Sequence, residues 1–196
     1  MKLLAIGLVL VPAATAFAAT FSVSNTPSFQ AALAAAQVNG QDDTVHVAAG
    51  VYAVSSPLTY GASEPFSLDV IGEGLATTVL DGGDSVQIMN LTSTGGGDIG
   101  VRGLTFRNGR NMAGDGIGGG LFVLTDGAAV PIVASCAFVS NVANRAAGGV
   151  YVAGGMSDAT VSNCIASYNT TVIDDGGGIY IYKETGAGTV RVIDNL

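Results

Sequence analysis

The side chains best placed for chemistry in this 196-residue sequence lie in its second half. Asp174 and Asp175 form a carboxylate pair, Arg145 lies 29 residues before Asp174, and Asp115 lies 30 before Arg145. Calcium needs several converging oxygen ligands, which makes Asp115, Asp174 and Asp175 its candidate ligands. A guanidinium beside paired carboxylates could hold a sugar acid or take part in proton transfer, so Arg145, Asp174 and Asp175 are the catalytic candidates. The plainer reading is an exposed row of Arg–Asp pairs that aids solubility and register and adds little stability. His46 is the single histidine. It alternates with Val45 and Val47, which points it outward, and no partner lies near it in sequence, so a metal or general-base role is weakly supported. No GxSxG elbow or HExxH pair occurs, and the glycine runs lack the strand-then-helix setting of a phosphate-binding loop.

What must position these residues is an internal repeat. Gly119-Gly120-Leu121-Phe122-Val123, Gly148-Gly149-Val150-Tyr151-Val152 and Gly177-Gly178-Ile179-Tyr180-Ile181 share one pattern, with Leu121, Val150 and Ile179 spaced by 29 residues twice. Upstream of each lies a second shared element: Leu104 to Asn108, Cys136 to Asn141 and Cys164 to Asn169. A fixed period of this length marks a solenoid, in which each repeat buries its apolar face against its neighbours. With several strands per period and no helix inside it, the fold class is all-β, a right-handed parallel β-helix. Leu121, Val150 and Ile179 are expected to stack inward, and Phe122, Tyr151 and Tyr180 outward, at the 4.8 Å spacing of paired strands. The Gly119-Gly120, Gly148-Gly149 and Gly177-Gly178 pairs are expected at corners needing positive φ. Asn141 and Asn169 are expected to turn the opposite corner and bond the coils above and below. Cys136 and Cys164, 28 residues apart, should be stacked neighbours, either bonded or as a pair of buried thiols. Ser28 to Val38, with Phe29 and Leu33 on one face, reads as a short helix that caps the N-terminal end.

Composition agrees with stacked short strands. Gly supplies 29 residues and Trp none; 48% of residues are hydrophobic and only 11% charged, which excludes a disordered chain. The net charge of −8 lacks the basic face that nucleic acid binding requires. Lys2, the apolar run Leu3 to Val11, Pro12 and Ala16-Phe17-Ala18 form a signal peptide over 1–18 with cleavage before Ala19. That run is too short to span a bilayer, and no transmembrane segment is expected after cleavage. The domain therefore covers 19–196. It stops at Val190 to Leu196 in what reads as the middle of a strand–turn unit, so C-terminal truncation is expected, with self-association at the open edge as the alternative.

Three stretches resemble the early coils of the pectin-lyase-like superfamily of secreted β-helix proteins: Asp43 to Tyr52, Ile71 to Gly83, and Val101 to Gly109. Phe138-Val139-Ser140-Asn141 followed by Gly148-Gly149-Val150 resembles the FxxN and GG[ALVI] repeats of polymorphic outer-membrane proteins. The resemblance covers nearly all of the mature chain and implies the fold, together with secretion or attachment to the cell surface. Enzymes of that superfamily include polysaccharide lyases that hold calcium with acidic residues beside an arginine or lysine. The Gly-His-Gly and Arg-Ile-Lys elements of its polygalacturonases are absent. Fold alone selects no activity. The expected function is a non-catalytic secreted or cell-surface repeat protein, adhesin-like or carbohydrate-associated. The alternative is a lyase or hydrolase of acidic glycans such as pectate or alginate. A polysaccharide or cell-surface glycan is the expected partner, and calcium is the only cofactor the residues suggest.

Overall fold

Many of the strands, such as Leu58–Ala62, Met89–Ser93 and Leu121–Thr125, alternate buried with more exposed residues, and each is too short to be stable alone. In the computed structural model, which describes residues 18–155, 158–174, 176–183 and 188–196, such strands stack into a parallel β-solenoid of about five turns. The leader expected over 1–18 lies outside the described residues except for Ala18, and so does Asp175.

Strand β1 (Ala19–Val23) and helix α1 (Thr26–Ala36) precede the coils. The helix starts where Asn25 Oδ1 accepts the Ser28 N–H at 2.8 Å, Pro27 fits its first turn, and Phe29, Ala32, Leu33 and Ala36 are buried. It begins at Thr26, within the Asn25-Thr26-Pro27 stretch whose residue types read as a turn and helix start, and ends at Ala36, two residues short of the expected Val38. Phe29 meets Tyr52 edge-on at 6.4 Å. The helix thus covers the first coil's end of the core, as expected.

The first coil contains β2 (Asp43–Val47), β3 (Gly50–Ala53) and β4 (Leu58–Ala62); the second contains β5 (Leu68–Gly72), β6 (Thr78–Asp81) and β7 (Met89–Ser93). Later coils add a short fourth strand at one corner. The third coil is β8 (Ile99–Arg102), β9 (Thr105–Arg107), β10 (Arg110–Asn111) and β11 (Leu121–Thr125). The fourth is β12 (Pro131–Ala134), β13 (Ala137–Val139), β14 (Val142–Ala143) and β15 (Val150–Gly154). The fifth is β16 (Ala159–Ser162), β17 (Ile165–Ser167), β18 (Thr170–Thr171) and β19 (Ile179–Lys183), after which β20 (Val190–Ile193) pairs with β16. Among the described residues, one sheet runs β1-β2-β5-β8-β12-β16-β20, and two more run β4-β7-β11-β15-β19 and β3-β6-β9-β13-β17.

Register makes like residues stack. Val45, Val70, Val101, Val133 and Val161 form one continuous inward row, all but fully buried. Leu121, Val150 and Ile179 form another, as the repeat predicts. Phe106 and Phe138 stack inside at 5.2 Å.

The glycine pairs do a different task from the one expected. None of the six takes a positive φ; that conformation falls on the residue before each pair, Gly118 (64°), Ala147 (55°) and Gly176 (77°). The pairs are required by crowding instead. A Cβ on Gly119 would lie 2.3 Å from Val142 O, on Gly120 2.6 Å from Gly149 O, on Gly148 2.4 Å from Thr170 O, and on Gly149 2.3 Å from Gly178 O. Gly177 and Gly178 are less tight, at 2.8 Å from Asn169 O and 3.1 Å from Ala166 Cβ. The asparagines show the same offset. Ser140 (55°) and Tyr168 (56°) take the left-handed turn, leaving Asn141 and Asn169 free to point inward. There they link the coils, as expected. Asn141 Nδ2 donates to Phe106 O (3.0 Å) and Asn169 Oδ1 (2.9 Å), while Asn141 Oδ1 accepts the Gly109 N–H at 2.7 Å.

Candidate functional site

The turns after β10, β14 and β18 lie over one another because backbone bonding continues through them. Arg145 N donates to Gly116 O (3.0 Å) and Asp174 N donates to Arg145 O (3.1 Å). This brings Asp115, Arg145 and Asp174 into one column. Arg145 Nε donates to Asp174 Oδ2 at 2.6 Å and Nη1 to Asp115 Oδ1 at 3.1 Å, so one guanidinium spans three coils. Asp115 sits one position out of strict register, since Ile117 pairs with Ala146, and Arg145 reaches it across that offset. The hydrogen bond to Asp174, then that to Asp115, raises the Arg145 pKa above its ordinary value, and the guanidinium is a cation with or without that shift. Asp115 and Asp174 each face this arginine. Among the described residues no three metal-ligating side chains converge there or elsewhere.

Beside this column stands a row of rings. Phe122, Tyr151 and Tyr180 occupy the outward positions of β11, β15 and β19 and stack at 5.4 and 5.3 Å, within 11° and 7° of parallel. Tyr182, two residues on and therefore on the same face, completes the wall. Burial, then the neighbouring Tyr180 and Tyr182, raises the Tyr151 pKa, so its hydroxyl stays protonated. Between rings and ion pairs lies a groove of about 380 Å³ lined by Asp115, Ile117, Arg145, Ala146, Asp174 and the three tyrosines. It offers phenolic hydroxyls, two exposed carboxylates and a fixed cation along the solenoid axis.

The sequence singled out Arg145, Asp174 and Asp115, and the structure brings these three together. Tyr151, Tyr180 and Tyr182 were missed as site residues: the first two were expected only as an outward row, and the place of Tyr182 two residues after Tyr180 in an alternating strand was the available signal. His46 points outward on β2, as expected, and lines a separate groove with Ser22, Ile71 and Glu73. The ion pairs of Arg102 with Asp69, and of Arg107 with Asp81 at 2.7 Å, had no sequence signal. Both depend on register across coils of unequal length. Cys136 and Cys164 are both buried and unbonded.

Compared with protein-family models, curated proteins and solved structures, the chain matches none. Among the described residues no helix is long and apolar enough to cross a membrane.

Proposed function

We propose that this chain is a secreted or cell-surface β-solenoid that binds a glycan without transforming it, through the groove between Arg145 and the tyrosine row. The observation that carries the reading is the pairing of a stacked ring wall with a fixed Arg–Asp column along one axis. Tyrosines supply an apolar body with a polar tip, suited to the mixed C–H and O–H surface of a sugar. The exposed carboxylates can accept from sugar hydroxyls and the guanidinium can donate to ring and hydroxyl oxygens. The ring row repeats once per coil, about 4.8 Å, so successive sugars of an extended glycan could stack along it.

Charge favours a neutral glycan. Two carboxylates face one guanidinium, and the whole chain carries −8, so a polyuronate would be repelled. A lyase or hydrolase reading draws less support. A general base needs a pKa near the working pH, and the Arg145 pKa is shifted the other way. The signal-peptide features at the N-terminus support export. The resemblance of the Phe138 to Val150 repeat to polymorphic outer-membrane proteins, and of the early coils to pectin-lyase-like proteins, supports a surface setting.

The test uses the purified chain from Ala19 with neutral and uronate polysaccharides, by affinity electrophoresis and product analysis, with calcium and with chelator. Retardation by a neutral glycan, lost in Tyr182→Ala and Arg145→Ala and accompanied by no product, is expected. Calcium-dependent unsaturated product that vanishes in Arg145→Ala would make the chain a lyase. Retention by no glycan would remove the carbohydrate reading.

A further inference from the structure

Cys136 and Cys164 lie away from the groove, at the same inner corner of the fourth and fifth coils. Local geometry delivers both identically. Each follows a residue in left-handed conformation, Ser135 (50°) and Asn163 (52°), and each leads into a paired strand, β13 and β17. Backbone bonds run on either side of them: Ser135 N donates to Ser162 O and Ile165 N to Cys136 O, both at 2.9 Å. The two Cα atoms are therefore about one strand spacing apart, roughly 4.8 Å, inside the range that a disulfide tolerates. Their side chains point the same way. Cys136 Sγ lies 3.4 Å from Ala134 O, and Cys164 Sγ lies 3.3 Å from Ser162 O, the equivalent carbonyl one coil on. Both are fully buried.

We propose that Cys136 and Cys164 are an oxidisable pair that closes into an inter-coil disulfide, stapling together the two coils that carry Arg145 and Asp174. The oxidant is a low-molecular-weight disulfide. The Cys164 thiolate attacks one of its sulfurs, forming a mixed disulfide and expelling one small thiolate, which takes up a proton. The Cys136 sulfur, having given its proton to solvent, attacks Cys164 Sγ, forms the protein S–S bond and expels the second thiolate. Two protein thiols are oxidised and one external disulfide is reduced to two thiols. Either cysteine can make the first attack, with the two roles exchanged, since the closed corner buries both sulfurs. Because both sulfurs are buried, exchange takes place while the coils form or open locally.

Disulfide closure between Cys136 and Cys164 does not depend on glycan binding. It is tested by refolding the chain from Ala19 in a glutathione redox buffer and in excess reductant, then alkylating free thiols. Mass analysis of non-reduced peptides is expected to find Cys136 joined to Cys164 within one chain. The redox-buffer sample should melt roughly 5–10 °C above the reduced one, as closing a loop of this length predicts. The Cys136→Ala/Cys164→Ala double variant should melt identically in both buffers. Two alkylated thiols at equilibrium, a glutathione adduct, a bond between chains, or a bond that leaves the melting temperature unchanged or lower would each overturn the proposal. The pair would then be a packed apolar contact and nothing more.

Discussion

Replacing Asn141 by alanine should destabilise the solenoid far more than the same change one coil on. Asn141 is fully buried and serves three partners: Phe106 O, the Gly109 N–H and Asn169 Oδ1. Truncation strands the Phe106 carbonyl and the Gly109 N–H in a dry interior, whereas Asn169 Oδ1 keeps the Asn141 backbone N–H at 3.0 Å. At about 1–3 kcal/mol for each stranded group, the cost is roughly 2–5 kcal/mol. Asn169 makes similar bonds, to Phe138 O at 2.8 Å and from Asn141, but it is only half-buried. Because Asn169 itself reaches solvent, water can take the place of its truncated side chain, which limits the cost of Asn169→Ala to about 1 kcal/mol. For a chain of this size the first variant should melt roughly 5–15 °C below the parent and the second about 2–4 °C below. Thermal and urea unfolding followed by circular dichroism measure both. Equal losses at the two sites, or a loss below about 0.5 kcal/mol for Asn141→Ala, would show that the ladder's bonds are not what joins the coils.

Three further outcomes follow from the same packing. Gly149→Ala places a Cβ 2.3 Å from Gly178 O and should cost about 1–3 kcal/mol or more. Gly127→Ala, at φ 61° with open space around it, should cost only about 1 kcal/mol of backbone strain; urea midpoints separate the two. Burial, then Asp43 and Glu64, pushes the Tyr60 pKa from 10.0 to about 12. The fold therefore favours the neutral phenol, and stability should fall as pH rises from 10 towards 12, a slope that Tyr60→Phe should flatten in alkaline melting curves. Burial acts to raise the Asp81 pKa, but hydrogen bonds from Gly83 N–H, Asn108 and Arg107 outweigh it and hold the carboxyl below its ordinary 3.8. Its contribution is present above that value and lost as pH falls through the lower folded one. Acid unfolding of Asp81→Asn should therefore lack that part of the slope.

The architecture was legible because a solenoid repeats its requirements. Wherever coils have equal length, the same residue types return at one period, so Leu121, Val150 and Ile179 declared an inward row and Tyr151 and Tyr180 an outward one. The same spacing sets Arg145 over Asp174. The valine row from Val45 to Val161 obeys the same physics but stayed hidden, since turns of unequal length shift its spacing from coil to coil. The Arg102–Asp69 and Arg107–Asp81 pairs were hidden for that reason also. Tertiary structure alone decided what the glycines do. Composition marks them as residues without a Cβ, but whether that freedom serves a positive φ or a close approach depends on what the adjacent coil places there, and here it is a carbonyl oxygen. The same holds for the site. Residue types nominated Asp115, Arg145 and Asp174 as calcium or catalytic candidates, and the turn geometry spent both carboxylates on one guanidinium. It also set a wall of tyrosines beside them, a neighbourhood built from three coils that no local stretch of sequence contains.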